Sequence, residues 1–490
     1  MGQLRFVAPD WSRLPAGAVD NAYLTGMEGV PFPSRNLWEG DQLVIHRDVR
    51  ESGNFNILWQ VPERGPLMLS TACLMERAKP YWLPIELARG TLHRLRNQQW
   101  VWHCMGLTTP ESYRSLEREA MLAFARAATL QAQPELACAE AQASIVCALE
   151  AGQALAAAYV EQVLALRHEQ TDRLPTLLGC RLPAELTDTA TSTLTSSFNT
   201  AVVPLTWSAL EPAEGEFDWT ASDNYFQWLK GKSLKVCSGP LVRLDAGWLP
   251  DWMYLWEDDF DSIHSYLQQY LTAVVQRYRG QVHVWHCAAG LNMPGELGMS
   301  EEEKLRLAVL AIDAVRRADP RTPVIVSFDQ PWGEYLREDE MDLPPFHFAD
   351  ALVRADLGLS GVGLELNMGY AQGGTLPRDV LELSRLIDRW STLGVPLLTF
   401  LTAPSTSQPD PLASHNAATV HPHITPQLQA EWLEPWLSVL VAKQTVHGVF
   451  WNQFSDSEPH RWPHSGLIDA NGAAKPIAKV LANLKTQHLS

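Results

Sequence analysis

The sequence has no excess of basic charge, no paired cysteine spacing and no long uncharged apolar run, and each absence removes a class of protein. In its 490 residues Lys and Arg number 38 against 56 Asp and Glu, a net charge of −18. Holding a phosphate backbone takes several cations aimed at phosphates, so neither nucleic acid nor an anionic membrane is an expected partner. The cysteines are Cys73, Cys104, Cys138, Cys147, Cys180, Cys237 and Cys287, an odd and scattered set with no C-x-x-C pair. That suits reduced thiols better than a disulfide framework or a zinc site. The most apolar long stretch, residues 137–166, is interrupted by Glu140, Glu150 and Glu161, and a spanning helix needs about 18 or more apolar residues in a row. The N-terminus, MGQLRFVAPDW, has no basic segment leading into an apolar one, so a soluble, cytoplasmic protein is expected. Walker, dinucleotide-binding and G-x-S-x-G patterns are missing too, and no cofactor is expected.

What is present describes a folded chain of two or three domains, since 46% of residues are hydrophobic and 19% charged. Residues 1–78 read as a β-rich, sandwich-like domain, because short apolar runs such as LRFVAP, DQLVIHRDV and FNILWQV are cut by Gly, Pro and Asn. Residues 79–172 read as helical. Thr109 and Pro110 supply an N-cap and a first-turn proline, Pro134 restarts the helix, and the Ala-rich stretch to Arg167 completes a long αα-hairpin.

From residue 173 onward the rhythm changes to eight strand-like runs, beginning near Leu177, Thr200, Leu234, Val282, Pro323, Ser360, Val395 and Val446, with helical segments between them. In one of these, Ser262 to Tyr278, apolar residues keep the spacing of a single buried face. In another, Ser300 and Glu303 form a capping box. Eight β/α units over this length predict an α/β fold with a TIM (β/α)8 barrel. The rival doubly wound sheet needs a glycine-rich first turn, which is missing.

In such barrels chemistry sits where the strands end. The polar and aromatic residues there are Trp207, Asp245, Trp248, Asn292, Glu296, Asp329, Gln330, Trp332, Glu365, Asn367, Tyr370, Trp451, Asn452, Asp456, His460 and Trp462. Tryptophan is the commonest aromatic, 19 against 14 Phe and 11 Tyr, and its flat face with one polar edge is a surface on which a sugar ring stacks. An oligo- or polysaccharide is therefore the expected partner, with Trp207, Trp248, Trp332 and Trp451 as platforms. Along GVGLELN, Gly363, Glu365 and Asn367 share the side that points into the mouth. Desolvation there would raise the pKa of Glu365. It is the candidate nucleophile or base, with Asp329 or Glu296 as its acid partner. Asp456, His460 and His464 match no ligand spacing, and no metal is expected.

Four segments carry a resemblance to a known family. FNTAVVPLTWSALEPAEGEFDW (Phe198 to Trp219), VVQRYRGQVHVWH (Val274 to His286), GVGLELN and VFWNQFSDSEPHRWPHSGLIDANGAAKP (Val449 to Pro476) follow one another in the order found in glycoside hydrolase family 10, the endo-β-1,4-xylanases. The resemblance implies a barrel over roughly residues 177–484. It also implies a retaining hydrolase whose two carboxyl groups lie about 5 to 5.5 Å apart. This sequence departs from the family at the residues that matter most. The acid/base position falls on Gly290, the nucleophile position on Phe400, and the sugar-holding strand-2 lysine on Thr206. Three readings stand: a glycan hydrolase with relocated carboxylates, an inactive glycan-binding pseudoenzyme, and a scaffold for protein partners. Substrate, linkage and oligomeric state stay open.

Overall fold

The computed structural model describes every residue except Met1, Met27, Val49, Asp339 and Glu340. The N-terminal strands are β1 (Gly2–Val7), β2 (Tyr23–Thr25), β3 (Pro31–Phe32), β4 (Arg35–Glu39), β5 (Gln42–Arg47), β6 (Asn54–Val61), β7 (Gly65–Ser70) and β8 (Tyr81–Trp82). They form two four-stranded sheets, ordered β4-β5-β1-β8 and β3-β2-β6-β7. Alternation makes the sandwich: Leu4 and Phe6 of β1 point inward, as do Leu43 and Ile45 of β5, and they meet Leu24, Phe55 and Ile57 of the other sheet in one core. The β-rich part runs past residue 78, because β8 returns to lie parallel beside β1.

Three helices follow, α1 (Leu83–Cys104), α2 (Glu111–Thr129) and α3 (Pro134–Gln170). The cap expected of Thr109 does not form. Pro110 takes the N-cap position, and the Thr109 hydroxyl instead accepts from Gln99 Nε2 at 3.2 Å, tying the helix start back to α1. By length and composition α3 is apolar enough to cross a membrane. Here its first half, through Ala137, Ala141 and Ile145, enters the core of the sandwich. Its second half, through Ala151, Leu155 and Leu164, enters the core of the barrel. Alanine makes this possible, since a short side chain permits close packing on several sides of one helix.

The barrel strands are β9 (Leu177–Arg181), β10 (Thr200–Val203), β11 (Lys235–Ser238), β12 (Val284–Ala289), β13 (Val324–Asp329), β14 (Gly361–Asn367), β15 (Leu397–Thr402) and β16 (Val446–Trp451). All eight pair in parallel in chain order, and β16 closes on β9. The expected capping box at Ser300 and Glu303 is present. So is the buried face of the helix Phe260–Tyr278, except that Tyr266 is half-buried and donates its hydroxyl to Glu214. Outward residues such as Val362, Leu364 and Leu366 meet the helical shell. Inward ones, Val202, Cys237, Val284, Ile325, Leu398, Phe400 and Phe450, form a separate interior cluster. Glycines on neighbouring strands make room for the two phenylalanines: a Cβ on Gly363 would lie 2.9 Å from the Phe400 ring, and one on Gly179 2.5 Å from that of Phe450.

A buried ion pair joins sandwich and barrel. Arg378 donates to Glu334 Oε1 at 2.8 Å and to the Tyr23 hydroxyl of β2 at 2.7 Å, and both charged side chains are almost wholly buried. Replacing Arg378 by Met strands the Glu334 charge in the interior, a loss of about 3–5 kcal/mol. The fall should appear as a lower urea midpoint followed by tryptophan fluorescence, and an unchanged midpoint would show that the ion pair does not hold the two parts together.

Candidate functional site

Alternation along the strands decides which side chains reach the mouth of the barrel. On β9 the inward phase is Leu177, Gly179 and Arg181; on β13 it is Ile325, Ser327 and Asp329; on β14 it is Gly363, Glu365 and Asn367. Above the phenylalanine layer these residues open into a cleft of about 450 Å³, lined among others by Arg181, Arg243, Trp248, His286, Glu365 and Phe400. Asn452, Glu458, Arg461 and Trp462 enter it from the β16 side. The loops at residues 410–415 and 458–464 zip together over one flank, through Ser414 to His460 and His415 to Arg461.

Glu365 faces this cleft although only 4% of it is exposed. The Ser327 hydroxyl donates to its Oε1 at 2.8 Å and Asn452 Nδ2 to its Oε2 at 3.1 Å. Burial, with the nearby Asp329 charge, pushes its pKa up to about 7. His286 Nε2 lies 2.8 Å from Ser327 Oγ. Because the serine proton points to Glu365, the histidine is the donor in that contact. Burial, helped by the Arg243 charge, pushes His286 down to about 3, so it is neutral at ordinary pH. His286, Ser327, Glu365 and Asn452 thus form one chain of hydrogen bonds across the mouth.

Asp329 is placed differently. Arg243 Nη2 donates to its Oδ2, Asn367 Nδ2 to its Oδ1 at 2.9 Å, and Arg461 Nη1 lies 3.5 Å away. Burial pushes the Asp329 carboxyl above its usual range and Arg243 pulls it back. Paired with the Arg243 guanidinium and close to that of Arg461, it is a counter-ion, unsuited to delivering a proton as the acid expected of it, whereas the donors to Glu365 are neutral. Asn292 holds the Asp329 backbone from both sides, through N–H and C=O. Asp245 is bound by both Arg243 and Arg461. Burial works against the charge on Arg243, but Asp245 and Asp329 outweigh it and raise its pKa.

Several other expected site residues lie elsewhere. Glu296 is exposed on the loop after β12 and is not among the residues that line the cleft with Glu365. Trp207 is buried, donates Nε1 to Glu211 and stacks on Tyr270. Trp451 is buried on the outward side of β16 with Nε1 on the Ser465 carbonyl. Trp332 lies under Arg378 at the sandwich junction. None of these three offers a face to the cleft, because the same apolar area that suits a sugar also suits a core. Tyr370 is buried against Trp462, with its hydroxyl on the Pro463 carbonyl. Asp456 is buried in an ion pair with Lys475. Gln330 is buried with a left-handed φ of 45°, turning the chain after β13. His460 and His464 converge on Asp410, not on Asp456. Of the expected platforms only Trp248 lines the cleft.

Arg181, Arg243, His286, Ser327, Glu458 and Arg461 belong to the mouth without having been expected there. The two-residue period would have found Arg181 and Ser327, whereas Arg461 and Glu458 reach the mouth only through loop packing.

A closed barrel of eight parallel strands with helices between them is a (β/α)8, or TIM, barrel. The sequence profile of glycosyl hydrolase family 10 matches residues 175–289, which run from the first barrel strand through the fourth. An endo-1,4-beta-xylanase of Agaricus bisporus is 23% identical over 184 residues, covering 36% of this chain and 54% of that protein. The chain thus spans about half the length of the curated relative it matches. Among solved structures, xylanase 10B of Thermotoga maritima aligns at 14% identity over 65% of this chain and 98% of its own, with a TM-score of 0.48. A family 10 structure from Paenibacillus barcinonensis aligns at 16% over 67% and 98%, with a TM-score of 0.49.

Because Glu365 holds its proton more tightly when folded than when unfolded, its contribution to stability is complete below about pH 4.5 and is lost as pH rises towards 7. Glu365→Gln should remove that loss, so the variant gains on the native protein between pH 4.5 and pH 8, on the order of 3 kcal/mol. A protonated-carboxyl infrared band titrating near neutral pH and missing from the variant would identify the group directly. Parallel pH–stability curves would show that Glu365 titrates normally.

Proposed function

We propose that this chain binds a saccharide in the barrel mouth and does not carry out the two-glutamate retaining hydrolysis of the family it resembles. The observation that carries this reading is what surrounds positions 290 and 400. Gly290 has φ +66°, and a Cβ built there would lie 2.8 Å from Asp329 Oδ2 and 3.2 Å from Arg243 Nη2. The Arg243–Asp329 pair thus fills the space an acid/base side chain would need. Phe400 is stacked between His286 and Phe450, with ring centroids 4.6 and 4.9 Å apart. A nucleophilic carboxylate there would have to sit in an apolar layer. The profile match, the xylanase relative, and a cleft combining Trp248 with hydrogen-bonding side chains support a saccharide as the ligand.

One observation favours hydrolysis by other groups. Glu365, pushed up to about 7, is in the range of a general acid at neutral pH. Glu458, also raised by burial, lines the same cleft.

Calorimetry with xylo-oligosaccharides, run beside a reducing-end assay, separates the readings. Binding without release of reducing ends is the expected result, and Glu365→Gln should leave that unchanged in kind. Turnover abolished by Glu365→Gln or Glu458→Gln would instead establish the relocated pair. No binding to any glycan would move the weight to a scaffold. Gly290→Glu with Phe400→Glu should gain no hydrolysis and should lower stability, since the first forces a side chain onto Arg243 and Asp329.

A further inference from the structure

Three guanidinium groups line the cleft, and two of them are already engaged. Arg243 is held by Asp245 and Asp329, and Arg461 lies 3.0 Å from Asp245 and 3.5 Å from Asp329. Arg181 is different. It ends β9, points inward in phase with Leu177 and Gly179, and is half-buried. Among the described residues its guanidinium makes no hydrogen bond, and no carboxylate oxygen lies within 4.0 Å of it. The Trp248 ring lies 5.2 Å from the guanidinium carbon, and Tyr225, Glu458 and Glu365 act on its charge from further off without outweighing its burial. The neighbouring carboxylate, Glu458, spends Oε2 on the Ala184 amide at 2.7 Å.

A partly desolvated cation with free N–H groups is costly unless something neutralises it. Burial indeed pushes the Arg181 pKa down. Phe400, Val202 and Pro240, which share the cleft wall, offer no acceptor side chain. The fork of a guanidinium matches a planar carboxylate, which accepts two parallel hydrogen bonds. Neutral sugar hydroxyls can accept from it but leave its charge unbalanced.

Building on the saccharide-binding reading, we infer that the preferred ligand is an acidic saccharide, carrying a uronate carboxylate, and that Arg181 receives that carboxylate. Trp248, beside the same guanidinium, would border the ring that bears it.

The test compares three probes of equal chain length: a xylo-oligosaccharide with one glucuronic acid branch, the methyl ester of that branch, and the unbranched oligosaccharide. The native protein should bind the acid about tenfold more tightly than its ester, a difference on the scale of one charge-assisted pair. That preference should shrink as salt is added. In Arg181→Gln the ratio of acid to ester affinity should fall to near one, and Arg181→Lys should restore part of it by keeping the charge. Arg181→Lys should melt with the native protein and Arg181→Gln at or above it, because the guanidinium holds no side-chain hydrogen bond and its unneutralised charge is a cost to the fold. Equal affinity for acid and ester in the native protein, or a preference that survives Arg181→Gln, would overturn the inference and leave the saccharide reading intact. Failure of all three probes to bind would instead remove the saccharide reading itself, and this inference with it.

Discussion

The contact between Arg243 and Asp329 organises the mouth of the barrel. Arg243 follows β11 and Asp329 ends β13, so the pair reaches over β12 and leaves no room for a side chain on the backbone at Gly290. Asp245 and Arg461 extend it into a four-membered network that fixes the loop after β16 against the loop after β11. Such a network is stable only when every charge has a partner, since removing one leaves another buried and uncompensated. It explains why Asp329, promising in isolation, is unavailable for proton transfer, and why Glu365, one strand further on, keeps a freer carboxyl.

Beneath that network the interior is settled by volume. Gly363 on β14, and Gly179 and Gly448 on the strands flanking the β16–β9 seam, present no side chain, and the rings of Phe400 and Phe450 occupy the space they leave. The result is an apolar floor under a polar cleft. A floor of this kind excludes water below Glu365, which strengthens the desolvation that raises its pKa. Packing and protonation are therefore one problem at this site. The neutral His286 belongs to both, stacking on Phe400 with one side of its ring and donating to Ser327 with a nitrogen.

The helix α3 couples this barrel to the sandwich, with its two halves entering two different cores. The Arg378–Glu334–Tyr23 contact adds a second junction, between β2 and the loops that follow β13 and β14. Both junctions lie away from the cleft lining, and no described residue of the sandwich lines the barrel mouth.

Periodicity and punctuation alone determined the eight strands, their order and the inward phase of Glu365, because a parallel barrel needs only repeated apolar runs separated by amphipathic helices. The same signals made the β-rich start and the long alanine-rich helix legible. They did not reveal β8, which is two residues long and defined by its partner β1. Nor did they separate tryptophans that meet a ligand from those that fill a core, since Trp207, Trp332 and Trp451 satisfy the same composition rule as Trp248. Which carboxylate is free was decided by tertiary structure: pairing depends on cations brought from strands and loops as far apart in sequence as Arg243 and Arg461. Sequence fixes where a side chain leaves its strand, while the charges that face it there come from the fold.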